Sequence, residues 1–162
     1  MRLVVKEKFL SISGKYYIKD REGNDVFLVK GAFSIPKKYR IYDMAGREIV
    51  MIKNTLFVPK LIAHIKFYEN NKLILIAKRK FSIKAKYDIN GSAGNYSING
   101  NIFDHDFEIK QGETVIASIF KKMTIYRDSY MLDIEDESKL PIILGLSVML
   151  DYVHHRHNDD NY

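Results

Sequence analysis

Residues 140–153 read LPIILGLSVMLDYV, and Ile142, Ile143, Leu144, Leu146, Val148, Met149 and Leu150 among them occupy every side of a helical wheel. Ser138 stands where a helix cap is expected, and Pro141 is tolerated in a first turn. An amphipathic surface helix keeps one polar face; a helix that is apolar all round is buried on all sides. Fourteen residues at about 1.5 Å each span about 21 Å, short of the roughly 30 Å of a bilayer core. The segment therefore needs a protein wall around it. The ordinary alternative, a helix covering a single sheet, leaves part of that apolar circumference exposed.

The rest of the chain supplies strands for such a wall. Residues 15–30, KYYIKDREGNDVFLVK, and 38–53, KYRIYDMAGREIVMIK, repeat with a period of 23. Lys15, Tyr16, Ile18, Asp20, Gly23 and Lys30 recur as Lys38, Tyr39, Ile41, Asp43, Gly46 and Lys53. Alternate Tyr and Ile place two large side chains on one face of a strand. Asp followed three residues later by Gly opens and closes a tight turn, so each copy reads as a β-hairpin. Two copies are too few for a solenoid or propeller. Further hairpins are expected around Glu69-Asn70-Asn71-Lys72 and Gln111-Gly112-Glu113, with turns at Asn90-Gly91 and Asn99-Gly100, and Tyr130–Ile134 as a last strand. About a dozen short strands with few prolines have an edge problem that closure into a barrel removes. The expected fold is all-β with one helix: a closed antiparallel barrel of about twelve strands around a buried hydrophobic C-terminal helix.

The composition fits one domain. A chain of 162 residues hides roughly 70% of its unfolded surface without staples. Hydrophobic content of 46% argues against disorder. The chain has no cysteine, which excludes disulfides, thiolate zinc sites, thiol catalysis and iron–sulfur clusters. Charged residues at the start leave no signal-peptide core, so the expected location is cytoplasmic. The domain is expected over residues 1–154, with a polar tail at 155–162 that frays.

The order of motifs resembles a known family. After the Tyr-x-Ile-x-Asp hairpins come Ile98-x-Gly100, Asp104-x-Asp106-Phe107-x-Ile109 and Ala117-x-Ile119-x-Lys121-Lys122. Asp128-Ser129-Tyr130-Met131-Leu132-Asp133-Ile134 then precedes the apolar helix ending in Leu150-Asp151. This resembles the LURP-one-related family, grouped with tubby C-terminal domains and phospholipid scramblases, over essentially the whole chain. The resemblance implies a twelve-stranded, tubby C-terminal-like barrel threaded by a hydrophobic helix. It implies phosphoinositide and membrane association from the tubby side. The cysteine-rich segment associated with scramblases is missing, so scrambling is not carried over, and fold alone does not license function.

Lys78, Lys80, Lys84 and Lys86 alternate with Phe81, Ile83, Ala85 and Tyr87, and net charge is +6 with a pI near 9.3. Read as one strand, this is a lysine row about 26 Å long that can track phosphates of lipid headgroups or nucleic acid. The plain alternative is a solvated outer face, and a chain break near Lys80 would split the row. Lys121 and Lys122 point opposite ways on a strand and add at most one charge to any face. Asp133, Glu135, Asp136 and Glu137 lack the pattern of a calcium loop and read as helix N-terminal charge. Asp104 and Asp106 flank His105 with no third partner for acid–base chemistry. His154 and His157 stand three apart, but His64, His105 and His155 make no matching pair, so no metal site is expected. Asn90-Gly91-Ser92-Ala93-Gly94 reads as a hairpin connection, and there is no P-loop, nucleophile elbow or dinucleotide fingerprint.

The expected function is non-catalytic binding, with no cofactor. The expected partner is anionic membrane lipid, phosphoinositide-like, at a basic outer barrel face carrying Lys78, Lys80, Lys84 and Lys86, with the protein peripheral to the membrane and not spanning it. The alternative is a protein-interaction scaffold. Nucleic acid is disfavoured, because most Tyr and Phe alternate into core faces and leave few stacking platforms.

Overall fold

Asp20 and Asp43 close the two repeat hairpins. The Asp20 carboxylate accepts from the Asn24 backbone N–H at 2.8 Å, and that of Asp43 from the Arg47 N–H at 2.9 Å. Gly23 and Gly46 sit at φ +90° and +82°, the left-handed region that favours glycine. These bonds hold both carboxyls below the ordinary carboxylate range, through the Asn24 side chain first at Asp20 and the Arg47 backbone N–H first at Asp43. A depressed folded pKa stabilises fully above the unfolded value and loses that stabilisation as pH falls through the folded value. The melting temperature is therefore expected to fall as pH drops below about 4. The double variant Asp20→Asn, Asp43→Asn can keep the backbone N–H bonds of the turns without the charge and should flatten that acid limb; an unchanged pH profile would refute the assignment.

The computed structural model describes residues 1–6, 14–32, 37–55, 64–80, 86–101, 106–121 and 129–159; the side chains of Lys6, Thr55, Arg79, Lys80, Lys86 and 152–159 are outside the description. Its strands are β1 (Arg2–Lys6), β2 (Lys15–Lys19), β3 (Asp25–Ala32), β4 (Lys38–Asp43), β5 (Glu48–Thr55) and β6 (His64–Glu69). They continue as β7 (Lys72–Lys80), β8 (Lys86–Gly91), β9 (Gly94–Asn101), β10 (Asp106–Gln111), β11 (Thr114–Lys121) and β12 (Ser129–Ile134). Each pairs antiparallel with its chain neighbours, and β1 against β12 closes the barrel. The β1–β2 seam is the thinnest, with Val4 against Lys19 as its one registered pair among the described residues.

The helix α1 (Leu140–Asp159) enters the lumen at the end where the tight turns lie. Residues 142–150 are all buried, so the helix is enclosed on every side, as its sequence requires. Inward residues of alternate strand positions, among them Ile18, Val29, Ile41, Val50, Phe67, Leu75, Ile109 and Leu132, form one buried core with it. A Cβ added at Gly145 would stand 2.9 Å from Phe67 Cδ1 and 3.6 Å from Val50 Cγ2, so glycine lets the helix approach β5 and β6. Overpacking costs about 1–3 kcal/mol and the better helix propensity of alanine returns at most about 1. Gly145→Ala should therefore lower the melting temperature by about 2–4 °C; a higher value would show slack beside Phe67.

Three local expectations are corrected. The helix runs to Asp159 rather than stopping at Val153. Ser138 lies inside a 3-10 turn (Glu137–Lys139) that precedes the helix, and Asp136 caps that turn: its Oδ1 accepts from the Ser138 N–H at 3.0 Å and Oγ–H at 2.6 Å. Those bonds also hold the Asp136 carboxyl below its ordinary range. Asn99-Gly100 is not a turn but lies inside β9, opposite Glu108 and Phe107. Gly100 is required by close approach: its φ is +117°, and a Cβ there would collide with the Asp106 carbonyl.

Candidate anion-binding face

The stretch from Lys78 to Tyr87 is not one strand. β7 ends at Lys80, β8 starts at Lys86, and their register sets Lys80 opposite Lys86 and Lys78 opposite Asp88. The 26 Å row therefore does not exist, because the chain reverses where the alternation reads straight through. Lys78 is exposed on the outer wall. Lys84 lies in 81–85, outside the described residues, as do Asp104, His105 and Lys122.

The structure brings a different set of cations together. Strand register places Lys38 of β4 opposite Lys53 of β5, and Lys53 opposite Lys66 of β6. A second line runs from Lys15 of β2 to Lys30 of β3 to Arg40 of β4. Residues paired in register share a face, and Tyr16, Val29, Tyr39, Ile41, Val50, Ile52 and Phe67 alternate with them into the core. All six cations therefore lie on the outer wall. Neighbouring strands are about 4.8 Å apart, so Lys38, Lys53 and Lys66 form a ladder about 10 Å long. Among the described residues no ion pair holds Lys38, Lys53 or Lys66, while Arg40 meets Glu48 at 3.3 Å. Lys30 Nζ stands 5.0 Å from the centre of the Tyr42 ring and Lys15 Nζ 5.5 Å from that of Tyr17.

The signal for this face was present in the period of 23. Lys15 with Lys30 and Lys38 with Lys53 are equivalent pairs in the two hairpins, each directly cross-strand. Alternation within one strand does not show this; pairing between strands does.

The other candidates resolve as structure. Asp133 forms an ion pair with Arg2, and Asp136 caps the 3-10 turn. Lys110 meets Glu108 at 3.2 Å, so the wall of β10–β12 and β1 largely neutralises itself. His64 stands on the outer wall opposite Lys78. Among the described residues no three His, Cys, Asp or Glu gather as metal ligands. In the lumen, Asp151 is 1% exposed, and Tyr16 is raised well above the ordinary tyrosine value by burial first, then by the charges of Asp151 and Tyr39. Tyr16, Tyr39 and Asp151 are all buried. No described helix is long and apolar enough to cross a membrane.

Comparison with known proteins agrees with this architecture. An uncharacterized protein of Bacillus subtilis (strain 168), YxjI, is 28% identical over 165 residues, covering 99% of this chain and 98% of its own. The X-ray structure of Arabidopsis thaliana protein AT5G01750 superposes with a TM-score of 0.64 at 18% identity, over 94% of this chain and 91% of that one. The LURP-one-related family model matches residues 1–151, and the chain belongs to the LURP-one-related family.

Proposed function

We propose that this protein is a non-catalytic binder of anionic phospholipid, peripheral at a membrane surface, and that the outer wall of β2–β6 is its contact face. The observation that carries this reading is the ladder Lys38–Lys53–Lys66 beside the line Lys15–Lys30–Arg40. Like charges directly opposite each other across strands destabilise a sheet. A wall that stacks three lysines without carboxylate partners gains when an anion neutralises them. Each lysine near an anionic bilayer contributes about 1 kcal/mol. Four or five such lysines give a millimolar to sub-millimolar attraction, enough for reversible recruitment.

Co-sedimentation with vesicles tests the reading. Binding is expected to phosphatidylserine- or phosphoinositide-containing vesicles in dilute salt, where the Debye length is about 30 Å, and to fade near physiological strength, where it is about 8 Å. Phosphatidylcholine alone should not retain the protein. Equal retention by neutral vesicles, or none by anionic ones in dilute salt, refutes the lipid reading.

A further inference from the structure

We propose that the barrel lies on its side on the bilayer, with the β2–β6 wall down and Tyr17, Tyr42 and Tyr68 at the depth of the headgroups. The pose rests on the lipid reading above and adds how the barrel lies on the membrane and what besides charge holds it there.

Next to the line of Lys15, Lys30 and Arg40, register sets Tyr17 opposite Leu28 and Leu28 opposite Tyr42. Arg40 itself continues into Met51 and then Tyr68. These five apolar or aromatic residues are partly exposed on the outer wall, among the cations rather than apart from them. Tyrosine has an apolar ring and a polar tip and is enriched at membrane–water interfaces. Lysine stems lie along apolar surface while the ammonium reaches for the headgroups. The Lys30–Tyr42 and Lys15–Tyr17 contacts already show that packing, with the ammonium over the ring.

Two other surfaces, among the described residues, are less suited. At the tight-turn end, Glu22, Asp43, Glu69, Glu113, Glu135 and Glu137 outnumber Arg21, Arg47, Lys72 and Lys139, so an anionic surface repels that end. Across the barrel, the walls of β10–β12 and β1 spend their charges on Arg2–Asp133 and Lys110–Glu108. The charges of the described residues therefore favour β2–β6 toward an anionic plane, and the tyrosines meet that plane in this pose.

The chain has no tryptophan, so a single introduced indole reports one position. Tyr42→Trp and Tyr68→Trp place it on the proposed contact wall; Phe120→Trp, on β11, places it on the far side of the barrel from β5. All three positions are on the outer wall, and a wild-type melting temperature confirms each variant's fold. Emission is read on phosphatidylserine–phosphatidylcholine vesicles carrying a brominated lipid, in dilute salt, with co-sedimentation on the same samples. The expected result is a shift to shorter wavelength and several-fold stronger quenching for Tyr42→Trp and Tyr68→Trp than for Phe120→Trp. Equal quenching of all three, or stronger quenching at position 120, overturns the pose. Co-sedimentation without a change at positions 42 and 68 also overturns it, while leaving the lipid reading standing. No co-sedimentation overturns both. A response at position 42 to a single-stranded oligonucleotide and not to vesicles would reassign the tyrosine–lysine wall to nucleic acid and overturn the pose.

Discussion

Leu144→Asp is expected to yield no cooperatively folded protein. Leu144 is 0% exposed, in the middle of a helix segment buried on all sides by the barrel. Removing a buried leucine costs about 2–5 kcal/mol. The new carboxyl then either stays charged in an apolar lumen or takes up a proton and remains without a partner. The cheaper of these still costs about 2–7 kcal/mol. Together they match the whole stability of an ordinary domain, about 5–15 kcal/mol. The circular barrel leaves the helix no way to rotate the acid to solvent, as a helix on an open sheet could. Leu144→Met, which nearly conserves volume, should stay folded with a loss under about 1.5 kcal/mol. The check is a thermal melt together with near-ultraviolet dichroism from the buried tyrosines. A soluble Leu144→Asp protein with a cooperative melt would mean the helix is not enclosed.

That enclosure was legible in the sequence because it depends on one property, the distribution of Ile142 to Leu150 around a wheel. The hairpins were legible for the same kind of reason: Asp20 and Asp43 act on backbone groups four residues away, within reach of local inspection. The candidate site was not. Lys38, Lys53 and Lys66 are up to 28 positions apart and meet only through register, which hydrophobic alternation within a strand does not specify. Lys78 to Tyr87 misled in the converse way, since alternation reads through a reversal of the chain when residues on both sides keep the same parity. Asn99-Gly100 misled because glycine answers two demands, a turn or a close backbone approach, and only the neighbouring β10 tells which one applies. Outward tyrosines were underrated too: Tyr16 and Tyr39 go inward, but Tyr17 and Tyr42 do not.

Lys53→Glu is expected to move stability and binding in opposite directions. Lys53 is the middle rung, with Lys38 on one side and Lys66 on the other. In the wild type both contacts are like-charge; in the variant both become opposite-charge. Cross-strand pairs differ by about 0.2–1 kcal/mol each, so relieving two repulsions and making two attractions should add about 1–2 kcal/mol. For a chain of this size that raises the melting temperature by about 3–6 °C, more in dilute salt than in concentrated salt. On an anionic vesicle the same change removes one attraction of about 1 kcal/mol and adds a repulsion of similar size. A loss of about 2 kcal/mol is about a thirtyfold weaker affinity. A residue kept only for solubility or packing would not couple a gain in stability to a loss of vesicle binding. A variant that binds anionic vesicles as the wild type does would remove Lys53 from the contact wall. A variant that melts lower would show that the ladder's charges do not face one another as the register places them.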